Sequence, residues 1–314
     1  SVVLALIGRL LRLFGIAFVP PLALAFLDGD ARSGLHFAVA LAASVGAGSV
    51  LALGAAPARL LHRSEALAVV AGTWLVVAHF AAIPFVLAGL GVVDAIFESM
   101  SGFTTTGATI LVDFSKYGRA IFLWRAMTQW FGGLGVIALF ILVLPQLGIA
   151  GRQLFFAEAS VASEAVSPQI QSNARKLWAI YTALTAAQTL ALIATGMAPY
   201  DSILHSLATL AAGGFSPHSQ SLAGYRNPAA EWICVAFMIL GGTSFTLQWR
   251  AFSGRPIAFF RDGEFRFYLG CTVAGALAVA ILLSGGIPGG DELRAGAFQS
   301  ASLISSTGFA SADY

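Results

Sequence analysis

Long uncharged apolar stretches alternate with short charged joints along this chain, and this alternation constrains the fold more than any other feature. A helix needs about 20 apolar residues to cross a bilayer. Only 10% of the 314 residues are charged, against about 25% in soluble domains. The sequence therefore predicts an all-α membrane protein. Seven stretches are predicted to span the membrane: 2–26, 35–56, 66–90, 119–147, 176–197, 229–249 and 266–284.

The distribution of charge predicts the orientation of these spans. Lysines and arginines concentrate in the joints at 58–65, 151–176 and 250–266, which are therefore predicted to face the cytoplasm. The acids concentrate in the opposite joints, where they raise the local concentration of cations. The near balance of 17 Lys+Arg against 15 Asp+Glu argues against a nucleic-acid partner.

Three stretches of the chain, 94–113, 201–220 and 295–314, fit neither the spans nor the joints. Each opens with about 11 moderately apolar residues and then becomes rich in Gly, Thr and Ser. Eleven helical residues rise about 16 Å, roughly half of the hydrocarbon core. Each stretch is therefore predicted to enter the membrane as a half-helix followed by an extended loop.

The three stretches align without a gap. They read DAIFESMSGFTTTGA, DSILHSLATLAAGGF and AGAFQSASLISSTGF, beginning at positions 94, 201 and 295. Each carries an apolar residue ten positions before a glycine, and the glycines are Gly107, Gly214 and Gly308. The predicted span that follows each of the first two aligned segments contains a Gly-Gly pair, 132–133 in one and 241–242 in the other. The pattern predicts a repeated unit of helix, half-helix, loop and helix, with successive units entering the membrane from the same side.

Backbone chemistry indicates what such loops do. Non-helical chain at membrane depth persists where it lines a wet cavity. Glycine permits conformations that turn carbonyls inward, and rings of carbonyls replace the hydration shell of a potassium ion. The C-terminal dipole end of each half-helix adds partial negative charge. The alternative is that the loops are polar Gly-rich connectors, and three gapless copies argue against it.

Several of these segments closely resemble the TrkH family, the membrane subunits of bacterial Trk potassium uptake systems in the Trk/Ktr/HKT superfamily. Among them are FESMSGFTTTGATIL, LATLAAGGFSPHSQSL and FQSASLISSTGFASADY, from residues 97, 207 and 298. The resemblance implies helix–pore-loop–helix repeats around a pseudo-fourfold pore, with an extra N-terminal helix pair. The implied domains are the helix pair at 1–57, repeat 1 at 58–150, repeat 2 at 151–250 and an incomplete repeat 3 at 251–314. A fourth repeat is expected and absent, so we expect residues 1–314 alone not to conduct.

The resemblance also implies function and filter residues. It implies potassium uptake driven by the membrane potential, with K⁺ as the transported ion and no cofactor. A secondary transporter that couples K⁺ to Na⁺ or H⁺ remains the alternative. The second loop has Ala where a Thr is common before the Gly pair, which a backbone filter tolerates. The implied filter residues are Thr105, Thr106, Gly107, Ala212, Gly213, Gly214, Ser306, Thr307 and Gly308.

The same resemblance implies partners and location. It implies a homodimer in the bacterial inner membrane, crossing the lipid several times. It also implies a cytoplasmic nucleotide-binding regulatory subunit of the TrkA kind. We expect that subunit to dock on the joints at 151–176 and 250–266, where charged residues are exposed.

Two ionisable side chains in apolar surroundings are predicted to be structural. Arg125 lies inside a predicted span, where a charge is costly and usually paired; we expect an ion pair with Glu98 or Asp94 that supports the filter from behind. His205 aligns with Glu98 and Gln299, so it is predicted to be part of a half-helix scaffold. An intramembrane protease needs facing Ser/His or paired Asp side chains within spans, and this pattern is missing, so an enzyme is not predicted.

Overall fold

The computed structural model describes residues 2–53, 63–135, 170–255 and 257–312. All regular secondary structure in these ranges is helical, as predicted. The chain divides into two compact units, and the division crosses the chain several times. The first unit comprises Ser1–Phe103, Ala108–Ile110 and Ser115–Arg175; the second comprises Thr104–Gly107, Leu111–Phe114 and Lys176–Tyr314.

Among the described residues of the first unit there are seven α-helices. A 3₁₀ turn at Gly15–Phe18 joins the first two, and a π-helical turn at Phe131–Gly135 continues the last. The helices are α1 (Val2–Phe14), α2 (Val19–Leu27), α3 (Ala31–Ala52), α4 (Arg63–Ala81), α5 (Ile83–Leu87), α6 (Val92–Phe103) and α7 (Arg119–Trp130).

From residue 170 onward the described residues form seven further helices, and all but the first turns of α8 lie in the second unit. They are α8 (Ile170–Ala194), α9 (Pro199–Leu210), α10 (Pro228–Gly241), α11 (Phe245–Phe252), α12 (Ala258–Arg261), α13 (Gly263–Ser284) and α14 (Gly290–Ile304).

Five of the seven predicted spans are present as helical segments long and apolar enough to cross a membrane. These are Val2–Leu27, Ala31–Ala52, Leu67–Leu87, Lys176–Ala194 and Gly263–Ser284. The predicted span at 119–147 passes out of the described residues after Gly135. The chain is therefore a multi-pass membrane protein.

The prediction of one continuous span at 229–249 is wrong. The first helix, α10, ends at Gly241, and a second helix, α11, begins at Phe245. The Gly241-Gly242 pair and the two hydroxyl residues after it are poor helix formers, which lowers the cost of a break. The Gln248 amide then donates to the carbonyls of Leu240 at 2.7 Å and Thr243 at 3.1 Å. These bonds add a side-chain donor to two carbonyls at the break. The Leu240 carbonyl also accepts from the Thr243 N–H at 3.0 Å.

An aromatic cluster around Trp124 organises the first unit. The Trp124 ring is fully buried and lies 4.5 Å from the Phe18 ring, centroid to centroid. Its indole N–H donates to the carbonyl of Ala81 at 2.9 Å. Phe14 packs between this ring and Phe103, the last residue of α6. The cluster thereby fixes the C-terminal end of α6 against the other helices of its unit.

The three predicted half-helices exist as α6, α9 and α14, with 12, 12 and 15 residues. Their lengths correspond to about 18–22 Å, too short to span a bilayer. Each has an acid in its first turn: Asp94, Asp201 and Asp291. Acids favour this end of a helix because the dipole is positive there. The opposite, partly negative ends lead directly into the three Gly-containing loops.

Tight backbone packing places α14 in the second unit. A Cβ atom at Gly296 would collide with the Ala276 carbonyl and lie 2.9 Å from the Ala280 nitrogen, both in α13. On the other side, Phe298 and Phe309 are buried with side chains of α9 and α10 in one apolar core. The half-helix is therefore held between a spanning helix and this core.

Candidate ion-coordination site

The three loops after the half-helices share one unusual backbone pattern. We name them loop 1 (Thr104–Gly107), loop 2 (residues 211–214) and loop 3 (residues 305–308). In each loop, two residues with positive φ flank one residue without it. The φ angles are 52° and 74° at Thr105 and Gly107, 52° and 75° at Ala212 and Gly214, and 60° and 82° at Ser306 and Gly308.

This alternation sets the three loops apart from regular secondary structure. Positive φ at every second residue interrupts the helix, so the loop carbonyls are not committed to helical hydrogen bonds as those of α6, α9 and α14 are. Positive φ is uncommon in residues other than glycine, yet Thr105, Ala212 and Ser306 adopt it at the same position of the alignment. Such strain persists where the surrounding structure imposes it, and it concentrates at functional sites.

The loops also belong together in space. Loop 1 is part of the second unit, with loops 2 and 3, although the half-helix before it belongs to the first. Loops 2 and 3 touch through their backbones, because a Cβ atom at Gly214 would collide with the carbonyl oxygen of Thr307. The second unit therefore gathers all three predicted filter segments, Thr105–Gly107, 212–214 and 306–308.

Hydroxyl groups brace two of the three loops internally. The Thr104 and Thr106 hydroxyls are 2.8 Å apart in loop 1, and the Ser305 and Thr307 hydroxyls are 2.7 Å apart in loop 3. These pairs occupy aligned positions. Loop 2 has Ala211 and Gly213 there and therefore has no hydroxyl pair. The feature common to the three loops is consequently the backbone.

A second serine contact holds the end of loops 1 and 3. The Ser101 hydroxyl donates to the carbonyl of Ala108 at 2.6 Å, and the aligned Ser302 hydroxyl donates to the carbonyl of Phe309 at 2.7 Å. Each bond joins the last turns of a half-helix to the residue after the loop glycine. Ala208 takes this position in the second repeat, so the loop 2 equivalent has no such bond.

Glu98 and Arg125 form a buried ion pair behind the chain that leaves loop 1. The Arg125 Nε donates to the Glu98 carboxylate at 2.7 Å, with 2% and 0% of the two side chains exposed. The same carboxylate accepts from the Thr109 hydroxyl at 2.9 Å and the Ile110 amide at 3.2 Å. Of the two partners predicted for Arg125, Glu98 is therefore the one present. The carboxylate of the pair thereby contacts the backbone just beyond the loop, at Ile110.

The second repeat has a neutral version of this brace. His205 aligns with Glu98, and its Nε2 lies 3.1 Å from the Ser216 hydroxyl. Ser216 in turn aligns with Thr109, so both braces join residues eleven apart. His205 is fully buried and its Nδ1 lies 2.8 Å from the Asp201 carbonyl. This geometry is that of a scaffold residue, as the sequence predicts.

The third repeat departs from this pattern. The aligned residues are Gln299 and Ala310, and alanine offers no side-chain oxygen. In the described part of the chain, the buried amide nitrogen of Gln299 has no hydrogen-bond partner. Loop 3 is instead tied at Ala310 itself, whose N–H donates to the Ser221 hydroxyl at 3.2 Å and whose carbonyl accepts from the Ala223 N–H at 3.2 Å.

The aligned serines at the middle of the half-helices fix two of them to the preceding span. Ser99 donates to the Ala78 carbonyl at 2.8 Å, and Ser300 donates to the Thr272 carbonyl at 2.7 Å. Ser206 differs and donates to the Ser202 carbonyl within its own helix. In the first and third repeats, a serine hydroxyl therefore joins the half-helix to the preceding span by a hydrogen bond.

A matched pair of glycines gives the first testable prediction. A Cβ atom at Gly132 would collide with the Phe103 carbonyl, at the end of α6, whereas one at Gly241 would lie 3.4 Å from the Thr209 carbonyl. We expect Gly132→Ala to move the end of α6. The new Cβ would meet a backbone carbonyl, and no flexible side chain can move aside to relieve the collision. Gly241→Ala serves as the control, because its Cβ would lie at about ordinary van der Waals distance from the nearest carbonyl oxygen.

The measurement is thermal unfolding in detergent together with rubidium uptake by the full-length protein, in cells that lack their own potassium uptake. We expect Gly132→Ala to lower both the unfolding midpoint and the uptake, and Gly241→Ala to change either one little. Equal effects of the two substitutions would contradict the close approach at Gly132.

Sequence reasoning missed most of the braces. The recurrence of Ser101 at Ser302, and of a hydroxyl pair two residues apart in loops 1 and 3, was visible in the alignment. The role of Thr109 was not, because a threonine two positions past a glycine carries no signal until Glu98 and Arg125 are seen beside it. The predicted filter residues themselves lie in the three loops with the alternating backbone.

These features define a class of protein. The chain is a helical, multi-pass membrane protein that repeats a span, a half-helix and a loop of alternating φ, and it gathers the loops in one compact unit. Comparison with known proteins supports this class. The TrkH family model, described as a cation transport protein, matches residues 38–314. The chain belongs to the TrkH family, which is a family of cation transport proteins rather than enzymes.

Individual relatives extend over nearly the whole chain. It is 35% identical to the Trk system potassium uptake protein TrkH of Halomonas elongata, over 99% of this chain and 66% of that protein. It is 39% identical to the protein of the same name from Escherichia coli K12, over 84% of this chain and 56% of that protein. The crystal structure of the potassium transporter TrkH from Vibrio parahaemolyticus matches with a TM-score of 0.83 and 32% identity, over 99% of this chain and 65% of that one. The chain thus spans between about half and two thirds of the length of these relatives.

Proposed function

We propose that the chain takes part in potassium uptake across the bacterial inner membrane, and that loops 1, 2 and 3 contribute backbone carbonyls to its selectivity filter. One observation carries the proposal: the same alternation of φ at aligned positions of three loops in one unit. Carbonyls not committed to helical hydrogen bonds can replace the hydration shell of a cation. The printed names of the relatives, which describe potassium uptake, support the choice of ion.

Backbone rather than side-chain coordination is the form of filter that fits all three loops. Loop 2 contains only alanine and glycine, so its sole oxygen atoms are carbonyls. In loops 1 and 3, the Thr106 and Thr307 hydroxyls are engaged with neighbouring hydroxyls. The partly negative C-terminal ends of α6, α9 and α14 precede the loops and favour a cation there.

We further propose channel-like conduction driven by the membrane potential. A filter of fixed carbonyls needs no alternating access, since parallel repeats can surround one axis. Coupling of K⁺ to Na⁺ or H⁺ is the competing mechanism. Reconstituted vesicles with a K⁺ gradient distinguish them: stoichiometric movement of labelled Na⁺ or of protons with K⁺ would contradict conduction, and uptake that follows the imposed potential alone would support it.

The proposal extends to assembly. The family resemblance supports a homodimer and a cytoplasmic nucleotide-binding regulatory subunit. Most of the joint predicted to dock that subunit, 151–176, lies outside the described residues. The other joint, 250–266, is described apart from residue 256 and carries the exposed Arg255 and Arg261.

Replacement of loop hydroxyls tests backbone coordination. Valine has nearly the shape of threonine but cannot make a hydrogen bond. In the full-length protein, we expect Thr307→Val to lower stability by about 1 kcal/mol, because it removes a buried hydroxyl pair. Thr106→Val is expected to lower stability less, because its hydroxyl pair is exposed to water. We expect the preference for K⁺ over Na⁺ to remain, as loop 2 functions without hydroxyls. Reversal potentials in mixed-salt bilayers measure the preference, and its loss in both variants would assign coordination to the side chains.

A further inference from the structure

The joint between α11 and α13 forms a pocket lined by three arginines. Arg250, Arg255 and Arg261 line a cavity of about 510 Å³, together with Asp262 and backbone of the turn at Gly254. That turn is fixed locally: the Arg255 amide donates to the Arg250 carbonyl at 3.3 Å, and Gly254 has a φ of +94°. The volume is within the usual range for small-ligand sites.

The charges of this pocket are uncompensated within the described residues. None of the three guanidinium groups makes an ion pair or side-chain hydrogen bond there. Asp262, the acid that lines the pocket, caps α13 by accepting from the Phe265 amide at 2.8 Å. Three arginines around one cavity with one engaged acid present an excess of donors for an anion. Guanidinium groups suit phosphate oxygens in particular, because their geometry allows two parallel hydrogen bonds.

Apolar side chains beside the pocket indicate where the anion comes from. Phe252, Ile257 and Phe260 are 60%, 60% and 70% exposed, although all three lie in or next to the same short joint. Nearby, the Lys176 ammonium lies 5.2 Å from the centre of the Trp249 ring, a pair of residue types typical of the membrane interface. A small soluble anion would leave these apolar side chains exposed to water, whereas the acyl chains of a bound lipid cover them.

The position along the chain agrees with this reading. Two spanning helices, Lys176–Ala194 and Gly263–Ser284, begin beside the joint, so it lies at a membrane surface. The charge bias predicts that this surface is the cytoplasmic one. Basic pockets at the cytoplasmic ends of spans bind anionic lipid headgroups, and each basic residue near the surface contributes about 1 kcal/mol.

We propose that Arg250, Arg255 and Arg261 bind the phosphate of an anionic phospholipid whose acyl chains pack on Phe252, Ile257 and Phe260. This proposal does not depend on the ion pathway. For these three arginines it replaces the expectation that the joint at 250–266 docks a regulatory subunit, so that docking is expected at the joint at 151–176.

The test uses the purified chain in detergent micelles with short-chain phosphatidylglycerol as the probe and phosphatidylcholine as its zwitterionic counterpart. Binding is followed by native mass spectrometry and by the shift in the thermal unfolding midpoint. We expect phosphatidylglycerol to bind and to raise the midpoint, and phosphatidylcholine to do neither. Equal effects of the two lipids would overturn the proposal.

Arg261→Gln and Arg266→Gln form a matched pair, since both arginines are exposed and only the first lines the pocket. We expect Arg261→Gln to weaken phosphatidylglycerol binding about fivefold, and the triple variant of Arg250, Arg255 and Arg261 by more than about tenfold. Arg266→Gln is expected to bind like the unmodified chain. Because these side chains have no described partners, we expect all variants to fold, which their lipid-free unfolding midpoints check.

Two further measurements distinguish the lipid from other ligands of the pocket. Stabilisation by millimolar inorganic phosphate without lipid, lost in the triple variant, would make this a site for a soluble phosphate and overturn the lipid assignment. Capture of a cytoplasmic regulatory subunit that requires the three arginines, with phosphatidylglycerol binding unchanged in the triple variant, would overturn it in favour of a protein interface.

Discussion

In the full-length protein, Gly214→Ala is expected to reduce potassium uptake at least about tenfold and to weaken the preference for K⁺ over Na⁺. Gly214 has a φ of +75°, and a Cβ atom there would collide with the carbonyl oxygen of Thr307. Both groups at the collision belong to the predicted filter, so one carbonyl must leave its position. A change of about 1.4 kcal/mol in ion coordination already corresponds to tenfold. The measurements are rubidium uptake in cells without their own potassium uptake, and reversal potentials in mixed salts.

Gly285→Ala is the matched control. Gly285 also has a left-handed conformation, with a φ of +62°, but no atom lies within 4 Å of a Cβ placed there. It caps the C-terminal end of α13 and belongs to none of the three loops. The control therefore carries the same backbone strain, about 1–2 kcal/mol, without the collision. Unchanged selectivity in Gly214→Ala, at membrane levels equal to the control, would contradict the assignment of loop 2 to the filter.

Arg125→Met is expected to destabilise the protein by about 3–5 kcal/mol, because it leaves the buried Glu98 carboxylate without its charged partner. Glu98 also accepts from Thr109 and Ile110, so its displacement pulls on the chain that leaves loop 1. We therefore expect loss of selectivity along with the lower unfolding midpoint. Thermal unfolding in detergent and reversal potentials measure the two effects.

The double variant Glu98→Gln with Arg125→Met isolates the ion pair. Both partners are then uncharged, and glutamine keeps an acceptor for Thr109, as the neutral His205–Ser216 contact does in the second repeat. We expect the double variant to be more stable than Arg125→Met alone and to regain selectivity in part. If the double variant is no more stable than the single one, the lost stability arises from packing around Arg125 rather than from an unpaired charge.

Much of the architecture could be predicted because membranes impose simple rules. The length of apolar stretches predicted the five spans present as long helices, and the shorter stretches predicted α6, α9 and α14. The rule failed at 229–249, where composition alone does not reveal a break after Gly241. Hydropathy averages over that region, whereas the side chain of Gln248 helps to make the break tolerable by bonding to two carbonyls there.

The site could be predicted only at the level of the backbone repeat. Three glycines in aligned positions indicated where the chain needs unusual conformations, and the structure has positive φ at each of them. Positive φ at Thr105, Ala212 and Ser306 could not be predicted, because residue type disfavours it there. Only contacts from the rest of the molecule can impose such a conformation.

Local composition and spacing were enough to predict that the chain lies in lipid, that it is helical, that half-helix and loop recur three times, and where the candidate filter residues lie. How each loop is held depends on the tertiary structure. It paired Glu98 with Arg125 rather than leaving Asp94 as the partner, gave loops 1 and 3 their hydroxyl braces, and brought Thr104–Gly107 into the unit of the other loops. Those outcomes depend on contacts between side chains that are distant in sequence. The spacing of residues along a short segment does not predict such contacts.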